Sequence, residues 1–487
     1  MQQEKGSITV FSLLSLLLIT AALFALLEGT RLQEMRRFAK LQTEASLESS
    51  FANYNRCLWE NYRLLGNERS QMEPILEKSA SGRLGGGANL LKMQPEEISL
   101  NAYTLLTDGN GRVFVKSISA YMQENFIYES AKELYNQYEA IKNIMGSNEM
   151  NLEKIEEALE EIQNMDTSKG NISQRSIDEK TADRVDTNPE EMVDVESVLE
   201  TAKAWKEKGI LELVLEDTSQ ISKQQQDFRD GLLLRELEIG NYEKTQEINW
   251  KDRILLQQYL VLYMSNFREA KAERALSYEL EYLIAQKNTD VENLKIVAAK
   301  LLAIREAANF LFLISNPEKM AKAEEVALLF VGASANPVLI QVVKIALLTA
   351  WALAESILDV RAILAGKKIA LLKSEEAWTV ELEQIGALAE GFAMAKDNPQ
   401  GLSYEQYLGI LVFFEKEETL GMRAMNLQEA TIRKNYQEDS FRMDGLVTQA
   451  EVSISYSYQA VFPFLRVIDA QERWEYKVLA NANYGYY

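Results

Sequence analysis

The 487-residue chain contains no histidine and one cysteine. The first absence excludes zinc sites built on imidazole, Ser-His-Asp triads and Cys-His nucleophile pairs. The second leaves Cys57 no partner for an intramolecular disulfide and excludes a thiolate metal cluster. Cys57 lies on an apolar helical stretch and reads as a small core residue. Proline is scarce, at 7 residues, against plentiful Leu, Ala, Glu and Lys. That balance points to a mostly helical protein. Positive charge is in short supply as well. Against 73 Asp and Glu stand 52 Lys and Arg, a net charge of −21 spread along the chain. Such a surface repels phosphate backbones, so no nucleic-acid partner is expected. Apolar residues still make up 47% of the chain, enough to bury a sizeable core.

The longest uncharged apolar run lies near the N-terminus. From Ile8 to Leu27 no residue is charged. Twenty helical residues span about 30 Å, the thickness of a bilayer's hydrocarbon core. A secretory signal has a shorter apolar region, about 7–15 residues, ending at an A-x-A-like site. Phe24-Ala25-Leu26-Leu27-Glu28 offers no such site, so a permanent single-pass anchor is expected, with Ile8, Phe11, Leu16 and Leu27 inside the bilayer. Lys5 precedes the run, and Arg31, Arg36, Arg37 and Lys40 follow it, beside Glu28 and Glu34. By the positive-inside rule this pattern places the bulk of the chain in the cytoplasm. Thr9, Ser12 and Ser15 share one helical face, where small hydroxyl side chains allow close packing or simply bond back to their own helix. Beyond the membrane, Leu47, Phe51, Tyr54, Leu58, Tyr62 and Leu65 continue an apolar stripe. The spacing predicts one helix of about 58 residues, ~87 Å long, stopping at Gly66-Asn67.

Residues 66–95, with a glycine cluster at 79–87, read as a loop, because no Lys-Ser/Thr follows to make a phosphate cradle. Ile98–Leu106 alternates as a strand, and Thr107-Asp108-Gly109-Asn110-Gly111 is a turn. Arg112 stands where a calcium loop needs an oxygen ligand. Helices are expected at 113–145 and 150–165, then a polar surface insertion at 166–191. Between 250 and 435 the pattern is a series of helices broken at Asn316-Pro317, Asn336-Pro337, Gly366 and Asn398-Pro399. Val338–Val360 is apolar enough to resemble a second span, but Lys344 and Glu355 leave ten uncharged residues between them, which favours a buried bundle helix. Ala450–Ala460 alternates strictly, with Ala, Val, Ile, Tyr, Tyr and Ala on one face and Glu, Ser, Ser, Ser and Gln on the other. Its expected partner is the strand near 97–106. The fold class is therefore α+β, predominantly α-helical, with a small antiparallel sheet pairing about 97–106 with about 446–462. The expected organisation is an anchor at 1–30, a membrane-proximal part at 31–145, an acidic and partly disordered insertion at 146–248, and a helical bundle at 249–487 ending in the β region.

Several stretches together resemble one uncharacterised family of membrane-anchored Gram-positive bacterial proteins. They are Gly6–Phe11, Leu27–Arg31, Thr104–Asp108, Leu276–Ile284, Ala350–Glu355, Gly401–Tyr407 and the last strand. Such proteins look like relatives of TadE/TadG-type pseudopilins of the tight-adherence (Tad) pilus system. The resemblance implies an extracytoplasmic domain, against the charge rule, and other pilus or secretion-system proteins as partners beside the lipid bilayer. It also implies a processing site at Gly6-Ser7. Pilins carry Glu at the fifth mature position, where it neutralises an amine in low dielectric; counting from Ser7, that position is Phe11.

The leading expectation is a non-enzymatic, membrane-anchored envelope protein, a pseudopilin-like accessory of a Tad-type pilus or secretion system. A cytoplasm-facing assembly scaffold is the alternative, and a carboxylate-based membrane-bound hydrolase the last. No catalytic, cofactor-binding or metal-binding residue is assigned, and no small-molecule substrate is evident.

Overall fold

The strictly alternating stretch near the C-terminus becomes the hub of a four-stranded antiparallel sheet. The computed structural model describes residues 3–82, 93–125, 193–242, 247–332, 337–436, 439–459 and 475–486. Those within 1–125, 228–252 and 417–487 form one compact unit, and those within 126–227 and 253–416 a second. Together they make an α+β protein dominated by helices.

In the first unit, strand β3 (Leu446–Gln459) pairs with β2 (Met93–Leu105), β4 (Glu475–Gly485) and the two-residue β1 (Asn67–Glu68). Ile98 lies opposite Ile454, and Ile454 opposite Ala480. Ala450, Val452, Ile454, Tyr456 and Tyr458 are buried, while Glu451, Ser453, Ser455 and Ser457 are half-exposed. The period of two thus selects a single core face. Pro95, which lacks an N–H, sits in β2 beside a register shift, as suits an edge strand. Helices α1 (Gln3–Phe51) and α3 (Arg69–Gly82) cover the apolar face with Met35, Ala39, Leu47 and Phe51, and with Met72, Leu76 and Ala80. Helix α2 (Arg56–Tyr62), α4 (Asp108–Asn125) and a C-terminal helix (Glu417–Tyr436) complete the unit.

Three expectations are corrected here. The long helix ends at Phe51 instead of running to residue 65. Asn55 leaves helical geometry and caps α2, its side chain accepting from Leu58 N–H, while its own N–H donates to the Gly66 carbonyl. Asn67 Nδ2 donates to the Ser50 carbonyl at 2.8 Å, satisfying a helix-end acceptor. The expected loop at 66–95 holds β1, all of α3 and the start of β2. Cys57 is half-buried, not part of the core. The expected turn at 107–111 is present, with Gly109, Asn110 and Gly111 all at positive φ. Asp108 uses both carboxylate oxygens on backbone N–H groups, those of Leu105 and Gly240. The glycine run at 83–87, the expected helix at 150–165 and the insertion at 166–191 lie outside the described residues, as does the expected first helix beyond Asn125.

Within the expected insertion at 146–248, the described part holds α5 (Val195–Glu207) and α6 (Ile210–Val214), with Val198, Trp205 and Leu213 buried. These helices belong to the second unit, with α7 (Trp250–Tyr263, from Arg253 on), α8 (Glu279–Ala285), α9 (Asp290–Ser315), α10 (Pro317–Val331), α11 (Pro337–Leu364) and α12 (Tyr404–Phe413). Helix α11 packs against α5, α9 and α10, and every residue from Ala350 to Leu364 is buried. It is a bundle helix, as expected. The punctuation read from the sequence also holds. Asn316 caps α10 with Pro317 behind it, α11 starts at Pro337, and Gly366 at φ 89° follows its end.

Candidate functional site

Helix α1 has two halves with opposite surroundings. Its 49 residues rise about 73 Å. Gly6 and Ser7 lie within its first turns, on helical backbone. Ile8, Phe11, Leu16 and Leu27 are 65%, 72%, 62% and 54% exposed, and their large apolar neighbours are exposed as well. Exposed apolar surface on this scale marks a membrane or protein contact. The change comes at Glu28, which is 5% exposed and pairs with Arg31 at 3.1 Å. The Arg31 guanidinium in turn lies 5.9 Å from the Tyr458 ring centre.

From there the helix is the spine of the sheet. Gln42 Nε2 donates to the Ser79 carbonyl at 3.1 Å, Thr43 and Tyr456 hydroxyls meet at 3.2 Å, and Tyr486 O–H donates to the Phe51 carbonyl at 2.6 Å. The Phe51 ring stands 5.0 Å from that of Tyr484 and 4.9 Å from that of Tyr486. The sequence-expected anchor residues therefore share one exposed half-helix, and its other half is fixed by packing and hydrogen bonds.

The second unit holds buried acids to which the sequence pattern assigns no role, beyond Glu355 as a charge that interrupts an apolar run. Glu355 and Asp359, one turn apart on α11, both contact Lys373, and all three are buried. Lys373 Nζ stands 2.6 Å from Asp359 Oδ1. Arg305, fully buried on α9, gives Nε and Nη2 to Asp359 Oδ2 at 3.0 and 2.9 Å and Nη1 to the Ala370 and Leu371 carbonyls. Glu355 Oε2 also accepts from Val380 N–H at 2.8 Å. Burial raises the Glu355 carboxyl above its ordinary range, against the pull of Lys373. Each carboxylate is met by cations or N–H donors from several segments, which is how a buried ion network becomes tolerable.

Nearby, Glu281 is fully buried, and its Oε1 accepts from Tyr404 O–H at 2.6 Å and Phe267 N–H at 2.8 Å. Burial pushes its carboxyl up to about 7. Oε2 has no hydrogen-bond partner, which adds to the cost of ionising this carboxyl. Asp290 accepts from Ser222 O–H and from the Ser277 and Tyr278 N–H groups, and burial raises it too.

These contacts join three separate stretches of sequence. Tyr404, from Gly401–Tyr407, holds Glu281 of Leu276–Ile284. Tyr407 lies 3.2 Å from Arg305 Nη1, and Arg305 binds Asp359, one turn after Ala350–Glu355. Gly401 is required where it stands, since a Cβ there would come within 2.5 Å of the Ile369 backbone. One cue was available in advance: Glu279 and Glu281 sit in Ser-Tyr-Glu-Leu-Glu-Tyr-Leu-Ile, acids embedded in apolar and aromatic neighbours. A surface cavity of about 380 Å³ in the first unit is lined by Glu68, Arg69, Glu73, Glu238 and Arg442, and there Arg69 pairs with Glu238 at 3.1 Å. Among the described residues, no cluster of three or more acidic or cysteine side chains is arranged to hold a metal ion.

Residues 188–458 match a family of unknown function (DUF5702). The match leaves out the N-terminal half-helix. No curated protein and no solved structure matches the chain.

Proposed function

We propose that this chain, which belongs to the DUF5702 family of unknown function, is a non-enzymatic, membrane-anchored envelope protein. Ile8–Leu27 crosses the bilayer once, and the rest of α1 presents the sheet and the helical unit outside it. One observation carries this reading: a single helix has a bare apolar first half of bilayer length and a second half packed as the spine of an antiparallel sheet. The same division supports the narrower reading of a pseudopilin-like accessory of a Tad-type pilus or secretion system, with an extracytoplasmic domain and other components of that system as partners. The buried Glu355–Asp359 pair is consistent with the non-enzymatic part. Glu355 and Asp359 are engaged by Lys373, Arg305 and backbone N–H groups, so this pair offers no free carboxylate for acid-base work.

Protease treatment of intact protoplasts tests the topology. Digestion of the domain from outside supports the proposal, and complete protection replaces it with a cytoplasm-facing scaffold. N-terminal sequencing of the mature protein tests the narrower reading. A start at Ser7 supports pilin-type processing, and an uncut N-terminus leaves a plain anchor.

A further inference from the structure

Helices α10 and α11 form an antiparallel hairpin, aligned by an ion pair between Lys344 and Glu324 at 2.7 Å. Beyond that pair, toward the connection, the chain carries no charged residue from Val326 to Val343. Leu328, Leu329 and Phe330 are 43%, 74% and 50% exposed, and Val338 and Leu339 on the other helix are 53% and 38% exposed. Gln341 is the one polar side chain among the described residues of this tip.

The distribution of these side chains identifies the medium. A helix that docks in a protein groove shows an apolar stripe at i, i+3 and i+4. Here three consecutive residues, about 100° apart around the axis, are all apolar and all exposed. Leu328, Leu329 and Phe330 thus cover about 200° of the helix, broader than the stripe that one partner face requires and as a surrounding apolar medium would use. The uncharged cap is about 10 Å deep on each helix, the depth to which interfacial helices bury apolar surface in a bilayer. Glu324, Glu325 and Lys344 stand at its base, the charged boundary that such an insertion would leave at the headgroups.

We propose that the tip of this hairpin inserts into the lipid bilayer, burying Leu328, Leu329, Phe330, Val338 and Leu339 among the acyl chains as a second membrane contact beside the anchor. The proposal rests on the membrane-anchor reading of Ile8–Leu27, which brings the same chain to a bilayer. The tip has no cationic cluster, so its insertion depends on apolar burial and not on anionic lipid.

The test is depth-dependent quenching in the full chain, reconstituted in phosphatidylcholine vesicles. Cys57 is replaced by Ser, with unchanged thermal unfolding as the check on that background. A single cysteine is placed by Leu329→Cys, Phe11→Cys or Glu376→Cys and labelled with an environment-sensitive fluorophore. Glu376, exposed on the second unit, is the aqueous control. Brominated acyl chains are expected to quench position 329 several-fold more than position 376, with blue-shifted emission. Quenching at 11 but not 329 overturns this proposal and leaves the anchor standing. Quenching at 329 but not 11 supports the tip and overturns the anchor, and quenching at neither overturns both. A blue shift at 329 without bromolipid quenching assigns the tip to a protein contact and overturns insertion. Lipid crosslinking from p-benzoylphenylalanine at 329 in the chain with Cys57 intact reads the same contact independently, and its absence counts against insertion.

Discussion

Helix α1 from Ile8 onward and helix α11 both have the length and apolar composition to cross a membrane. None of the most apolar stretch is buried in α1, against 61% in α11. Charge separates them more than hydropathy does. The first span contains no ionisable side chain, so it asks nothing of a surrounding protein. Helix α11 carries Lys344, Glu355, Asp359 and Arg361, and each meets a partner supplied by another segment: Glu324, Lys373, Arg305 and the Leu213 carbonyl. A charge in a dry interior costs several kcal/mol unless it is matched. A helix with four of them needs a protein built around it, and an uncharged one can be left to lipid.

The contrast is broken most forcefully in the first span. Leu16→Arg with Leu17→Arg places two charges near its centre, at about 2.5–3.5 kcal/mol each on insertion scales. The pair is expected to move the protein out of the carbonate-resistant membrane fraction. Both positions are exposed, so the melting of the remaining fold is expected to stay unchanged. Neutralising a charge in α11 works in the opposite sense. Asp359→Asn leaves Arg305 and Lys373 buried without their shared anion, and a loss of about 3–5 kcal/mol is expected in denaturant unfolding. Membrane fractionation is expected to be unaffected.

The sequence revealed what depends on contiguous residues. The exposed apolar helix at 8–27, the alternation of β3 and its pairing with β2 were all legible, because each is a property of one or two short windows. Strand β4 was not, because two of its inward positions, beside Val478, are the small Ala480 and Ala482, which give alternation little contrast. Helix α3 was hidden by Pro74 and the glycines that follow, with Met72, Leu76 and Ala80 too short a stripe to outweigh them. The break after Phe51 escaped because α2 resumes the same apolar spacing, and only Asn55 as a cap signals it. The acid network was the least legible. Glu281 meets Tyr404, and Asp359 meets Arg305 and Lys373, through the tertiary fold alone. Acidic residues in a chain with 73 of them are presumed solvated until the fold shows otherwise.

Glu281 sharpens the comparison through pH. Its ordinary value is 4.5 and burial raises it to about 7 in the folded protein. Below pH 4.5 both folded and unfolded chains hold the proton, and stability from this group is complete. Between 4.5 and 7 the unfolded chain releases its proton while the folded chain keeps it. Stability therefore falls by about 1.4 kcal/mol per pH unit, roughly 3 kcal/mol in all, and levels off above 7. Glu281→Gln keeps an acceptor for Tyr404 and Phe267 and removes the proton. The stability of E281Q relative to wild type is expected to rise across that window in urea titrations at fixed salt, and a flat difference would show that Glu281 is ionised throughout. No such pH-linked term is available to the uncharged span.

The smallest expected effect lies where the second half of α1 meets the sheet. Thr43 and Tyr456 hydroxyls are 3.2 Å apart and buried, and Thr43 also donates to the Ala39 carbonyl. That second bond turns the Thr43 hydroxyl so that its oxygen accepts from Tyr456 O–H. Tyr456→Phe removes one donor but leaves Thr43 bonded, so a loss of about 0.5–1.5 kcal/mol is expected. Thr43→Val strands the Tyr456 hydroxyl in an apolar core and should cost more. In a double-mutant cycle the two changes are expected to be non-additive, because the second removes a group the first has already left without its partner. Additive losses would mean that the two hydroxyls are not coupled, leaving apolar packing and the Tyr486 hydrogen bond to the Phe51 carbonyl to hold this half of the helix to the sheet.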